Sequence, residues 1–111
     1  MTLSYPDFSK IDIRIGIVSK VEPFTRAIKP AYKIWVDFGP EVGTLQTSAQ
    51  VTVNYTLESL LGRQVLGVVN LGTKNIAGFE SQFLLLGCKD AQGTVRLASF
   101  DSAIPNGNKL H

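Results

Sequence analysis

The sequence predicts an all-β fold: a small barrel of about five strands, with one short helix between the third and fourth. Three observations predict it. Apolar residues recur at alternate positions in several short runs. Glycine and proline punctuate those runs at nearly every break. A single stretch, Thr56 to Leu61 before Gly62, carries helix start and stop signals.

The elements follow in order. Ser4-Tyr5-Pro6-Asp7 pairs a capping residue with an early proline and an acid three residues after the cap, which predicts one helical turn through Ser9. Ile11, Ile13, Ile15 and Ile17 alternate with Asp12, Arg14 and Gly16, a period of two that predicts a strand with one buried face. The phase slips at Ile17-Val18, and a slip beside Gly16 predicts a bulge or bend. Pro23 and Pro30 bracket a loop. In the second strand, Ala31 to Phe38, Tyr32, Ile34, Val36 and Phe38 share one face and Lys33, Trp35 and Asp37 the other. Gly43 to Gln50 is the third strand, Gln64 to Asn70 the fourth, and Ser81 to Cys88 the next. Val95 and Leu97 mark a last one, and Asn106-Gly107 is a turn pair. One helix is too little for an α/β sandwich, so the pattern matches the oligonucleotide/oligosaccharide-binding (OB) barrel, with short N- and C-terminal extensions.

The chain has 111 residues, which fits one domain over 1–111. Such a domain buries roughly 60–70% of the surface its unfolded chain exposes. With 44% hydrophobic residues, some apolar surface is left over for a partner or a second copy. A net charge of +2 is far below that of a dedicated DNA-wrapping protein. Cys88 is the only cysteine and His111 the only histidine, so an intrachain disulfide is excluded and a His/Cys metal site lacks its ligands. No signal peptide opens the chain, and no run approaches the ~18 apolar residues of a membrane span, which predicts a cytoplasmic protein.

Enzyme chemistry finds little to work with, and no catalytic residue or cofactor is predicted. No internal histidine offers a base. The carboxylates Asp12, Asp37, Glu41, Glu58 and Glu80 are dispersed, and no glycine-rich phosphate loop occurs. Cys88, after Leu84-Leu85-Leu86-Gly87, reads as an inert core thiol.

Binding chemistry is better represented. Trp35 falls on the polar strand face between Lys33 and Asp37, where it either stacks on a base, anchors an interface or packs under a loop of its own chain. Arg26, Lys29, Lys33 and Lys74 are candidate phosphate contacts or else scattered surface charges. Ser48, Gln50, Asn70, Ser81 and Gln82 suit either ligand hydrogen bonds or the barrel's own turns. Phe79, Phe83 and Leu84 are candidates for an apolar peptide pocket, or ordinary core.

In order and spacing the chain resembles the tRNA-binding-domain family from about Phe8 to Gly107. The resemblance rests on Asp12-Ile13-Arg14-Ile15-Gly16, Asp37-Phe38-Gly39 and Thr47-Ser48-Ala49-Gln50. It continues through Val68-Val69-Asn70, Ile76-Ala77-Gly78-Phe79 and Ile104-Pro105-Asn106-Gly107. Within that family the chain is similar to the CsaA-type secretion chaperones. Its Ser48-Ala49-Gln50 stands where tRNA-binding modules tend to have Ser-Gly-Leu, and Ser81-Gln82-Phe83-Leu84 lacks their Gly-Met pair. Between Asn70 and Asn75 the chain keeps Lys74 as its only cation. The resemblance implies an OB barrel forming a homodimer, with unfolded preproteins or tRNA as partners. Taken with the residues singled out above, the candidate peptide-binding set is Trp35, Phe79 and Phe83. The candidate nucleic-acid set is Arg26, Lys29, Lys33, Lys74, Asn75 and Ser81, of which Ser81 matches a position the resemblance links to tRNA contact.

Overall fold

A computed structural model describes all 111 residues. The elements run α1 (Tyr5–Ser9), β1 (Ile13–Pro23), β2 (Tyr32–Asp37), β3 (Thr44–Ala49), α2 (Leu57–Leu60), β4 (Gln64–Val68), β5 (Lys74–Ile76), β6 (Phe79–Ser81), β7 (Leu84–Leu85), β8 (Gly87–Lys89) and β9 (Val95–Leu97). Five strands form one antiparallel sheet in the order β3-β2-β1-β4-β7, and β5-β6 and β8-β9 are separate hairpins. The sheet curls so that β3 meets the segment before β7. Gln82 N–H donates to the Gln46 carbonyl at 2.8 Å, and Thr47 Oγ1 donates to the Phe83 carbonyl at 2.8 Å. The result is the expected OB-like barrel, nearly closed. No helix is long and apolar enough to cross a membrane.

Both helices follow their caps. Ser4 Oγ accepts from Asp7 N–H, and Thr56 and Ser59 exchange reciprocal side-chain-to-backbone bonds at 3.0 and 2.9 Å.

The first strand departs from the one-faced expectation. Ile13 and Ile15 pack outside the barrel with Leu66 and Val68, under Leu86, Ile104 and Leu110. Gly16 and Val18 face inward, where a Cβ on Gly16 would strike Val36 and Phe38. Ile17 is exposed. So the first part of β1 is covered on both faces, and the C-terminal segment that brings Ile104 and Leu110 over it is held along its edge: Ile15 N–H donates to the Asn108 carbonyl and Leu110 N–H to that of Ile13. The bulge falls at Ser19, between Val18 and Lys20, rather than beside Gly16.

The inner core is Val18, Ile34, Val36, Phe38, Leu60, Val65 and Phe83 with its neighbours, as the alternation in the second strand predicts. Arg14 fastens one end. Its guanidinium donates to Asp12 at 2.6 Å, to Glu41 at 3.2 Å and to the Gly107 carbonyl at 3.2 Å.

The predicted strand from Ser81 to Cys88 is three pieces, β6, β7 and β8, because each pairs with a different partner. Cys88 is exposed on the β8-β9 hairpin, not a core thiol. The β5-β6 hairpin turns at Ala77-Gly78, both with positive φ (50° and 83°), a turn that glycine and small residues permit.

Candidate binding surfaces on either side of a hairpin

The β5-β6 hairpin divides two surfaces. On one side, the outward faces of β1 and β2 carry aromatic rings and lysines. Trp35 and Phe79 meet edge to face at 5.9 Å between centroids, and Phe24 and Phe79 at 5.6 Å. Lys33 Nζ lies 5.0 Å from both the Phe24 and Phe79 rings, and Lys20 Nζ 4.7 Å over Trp35. Trp35 Nε1 donates to Gln46 Oε1 at 3.1 Å, and Gln46 Nε2 donates to the Glu80 carbonyl. Trp35 is therefore half-buried under a hairpin of its own chain, with its indole N–H satisfied.

On the other side lies a mostly apolar groove of about 940 Å³. It runs between the Ala27–Ala31 loop, the end of β3, the Leu71–Lys74 loop and β7, with Val95 and Leu97 behind. Lys29 and Lys74 stand at its rim, both exposed. A smaller cleft of about 320 Å³ continues it past Lys29, Gln50 and Val51 to Lys89.

The predicted residues divide between these surfaces. Lys33, Trp35 and Phe79 fall in the aromatic cluster, and Lys29, Lys74, Ser81 and Phe83 line the groove. Arg26 is exposed beside the hairpin turn, its guanidinium 3.9 Å from where a Gly78 Cβ would sit. Asn75 is brought to neither. It pairs across the hairpin with Glu80, and its Oδ1 accepts from Gly78 N–H at 3.0 Å, closing the turn. Ser81 is buried and shares a 2.6 Å hydrogen bond with the Thr47 hydroxyl. Phe83 is 4% exposed and stacks edge to face on Phe38, so it forms the groove's floor. Sequence reasoning passed over Phe24 and Lys20. Phe24 had a signal, since it follows Pro23 at the end of an alternating run; Lys20 had none, because it reaches Trp35 only through the β1-β2 register, which the bulge at Ser19 shifts.

A family model described as "Putative tRNA binding domain" matches residues 13–109. The chain belongs to the tRNA-binding-domain family. Among solved members, CsaA chaperone protein from Picrophilus torridus is 44% identical, covers 99% of this chain and 100% of its own, and superposes with a TM-score of 0.91. Chaperone CsaA from Bacillus anthracis is 40% identical over 100% of both chains, with a TM-score of 0.92. Methionine–tRNA ligase of Pyrococcus furiosus is 39% identical over 97% of this chain, and that of Methanococcus vannielii 36% over 94%. The chain spans only 14–15% of the length of these ligases. In this family member the barrel, the hairpin and the groove all lie within or beside the matched span.

Proposed function

We propose that the chain is a non-catalytic, cytoplasmic export chaperone of the CsaA kind, holding unfolded preprotein and acting as a homodimer. The observation that carries this reading is the apolar groove of about 940 Å³, in a chain similar along its whole length to two proteins named CsaA chaperones. A cavity of that size lies at the upper end of the range for ligand sites, and its lining suits apolar side chains. Lys29 and Lys74 at the rim, and Arg26 near it, add charge without closing the entrance.

The test is fluorescence anisotropy of a labelled preprotein kept unfolded, against the same protein folded. Preferential binding of the unfolded form, displaced by groove substitutions such as Leu84→Asp, is the expected result. Equal or absent binding of both forms ends the reading.

One observation favours a second reading, structure-specific tRNA binding. Lys33 and Lys20 stand beside Trp35 and Phe79, both partly exposed over the buried Phe24, so that a base can stack on the ring surface left open between two cations. Trp35 is the only tryptophan, so its fluorescence reports on that surface directly. Quenching by tRNA, with Lys33→Ala and Lys74→Ala each flattening the log–log salt dependence by about one unit, supports this reading. Unchanged fluorescence and salt-independent binding count against it.

A further inference from the structure

We propose that the groove takes its polypeptide as an added β-strand, inserted where the barrel seam between β3 and β7 stands open. This rests on the preprotein-binding reading and specifies how such a segment is held and what it carries.

The argument starts from backbone hydrogen bonds. β3 and β7 are the two ends of the five-stranded sheet, so each has one edge without a ladder. Phe38 N–H donates to the Gly43 carbonyl, and the β2-β3 register then directs the odd-numbered β3 residues at β2. The even-numbered ones point across the seam. Gln46 is satisfied there by Gln82. Ser48, two residues on, has no such partner: its carbonyl takes only the Thr47 hydroxyl at 3.4 Å, and that hydroxyl is already engaged at 2.6 and 2.8 Å. On the other lip, Leu86 N–H donates to the Leu66 carbonyl, so the register gives Leu84 to β4 and turns the Leu85 N–H and C=O toward β3. The seam is clasped at Gln46–Gln82 and Thr47–Phe83 and open beyond. The groove lies over the open part, with Ser48 and Leu85 both lining it.

Unpaired edge groups beside apolar surface are what an extended chain needs for strand addition. Main-chain bonds hold such a segment whatever its sequence, and alternate side chains enter the pocket. Here the inward set meets Ala49, Val51, Phe83 and Leu97. Charge fixes the rest. The groove and its continuation are lined by Lys29, Lys74 and Lys89 and by no aspartate or glutamate. The occupant is therefore an extended polypeptide with apolar side chains at alternate positions and a carboxylate at the end that reaches Lys29 and Lys89.

The test uses a labelled peptide of alternating valine and threonine ending in two glutamates, bound to the full chain. Binding is read by anisotropy, and amide exchange is followed at Ser48 and Leu85. Slowed exchange at both amides is expected on binding. N-methylation of two central backbone amides should weaken binding about tenfold, as loss of a pair of hydrogen bonds implies. Replacing the glutamates by lysines should weaken it about threefold at low salt. A methylated peptide that binds as well as its parent overturns strand addition and leaves preprotein holding intact. Failure of every unfolded peptide and preprotein to bind overturns both. Protection of Ser48 and Leu85 by concentrated protein alone assigns the seam to a second copy, and protection by tRNA assigns it to RNA; either result overturns the proposal.

Discussion

At the scale of single residues, the glycines separate close packing from backbone strain. Gly67 stands on the inner side of β4, where a Cβ would come within 2.7 Å of the Phe83 ring and 2.8 Å of the Phe38 ring. Those two rings already meet edge to face at 5.0 Å, both nearly or fully buried, so neither can swing away. Overpacking of this kind costs about 1–3 kcal/mol. Gly72, in the loop at the groove's rim, has open space around it but a φ of +80°. An alanine there is strained by about 1 kcal/mol and displaces nothing. Gly67→Ala should therefore lower the urea midpoint more than Gly72→Ala, with the slope unchanged in both. An equal loss would mean that the core yields to the extra methyl. The same crowding explains why Phe83 forms the groove's floor rather than a free anchor.

At the scale of elements, the β8-β9 hairpin is organised by one carboxylate. Asp90 accepts from the Thr94 backbone N–H, from the Thr94 hydroxyl, from the Arg96 guanidinium and from the Gln92 N–H, all at about 3 Å. These bonds, the Thr94 backbone one foremost, hold its carboxyl down to about 2 from the ordinary 3.8. A depressed carboxylate contributes stability that is fully present above its unfolded value, near pH 4. That contribution fades as pH falls through the folded value. The Thr94 amide shift should titrate with a midpoint near pH 2 in the native chain and stay flat in Asp90→Asn; a midpoint near 4 would mean that the cluster does not form. The hairpins also mark where sequence reading stops. The second strand and its inward face were legible, because Ile34, Val36 and Phe38 bury one side of a strand that alternates cleanly. The segment from Phe79 to Lys89 was not. Its apolar run hides two changes of partner, and a period of two carries no record of which strand a residue pairs with. For the same reason Cys88 read as core when it sits on an exposed hairpin.

At the scale of the whole molecule, the two surfaces were only partly legible. The polar side of the second strand named Lys33 and Trp35; Lys74 was named as one of few cations and Ser81 as a polar group at a strand end, and the family resemblance added weight to Ser81. The long-range folding of the β5-β6 hairpin, which parts them, leaves no local signature. What sequence composition did foreshadow is a surplus of apolar surface, and the fold concentrates much of it at the chain's beginning. α1 buries none of its residues; Tyr5 is 90% exposed, Leu3 60% and Phe8 41%. The segment is tied to the barrel by Asn70, whose side chain accepts from Asp12 N–H at 2.9 Å and donates to the Lys10 carbonyl at 2.7 Å. It is thus anchored at its base while its apolar residues face outward, which fits the proposed homodimer better than a free monomer. Sedimentation at micromolar concentration should then give twice the 12.1 kDa chain mass. Removing residues 1–9 should return the monomer mass with the Trp35 emission maximum unchanged, because no core residue lies in that segment and Trp35 is held by β3 and the β5-β6 hairpin. A native chain that sediments as a monomer under those conditions would refute the dimer. A deletion that stays dimeric would move the interface to the exposed Leu71, Leu84 and Phe100, and with it the access route to the groove.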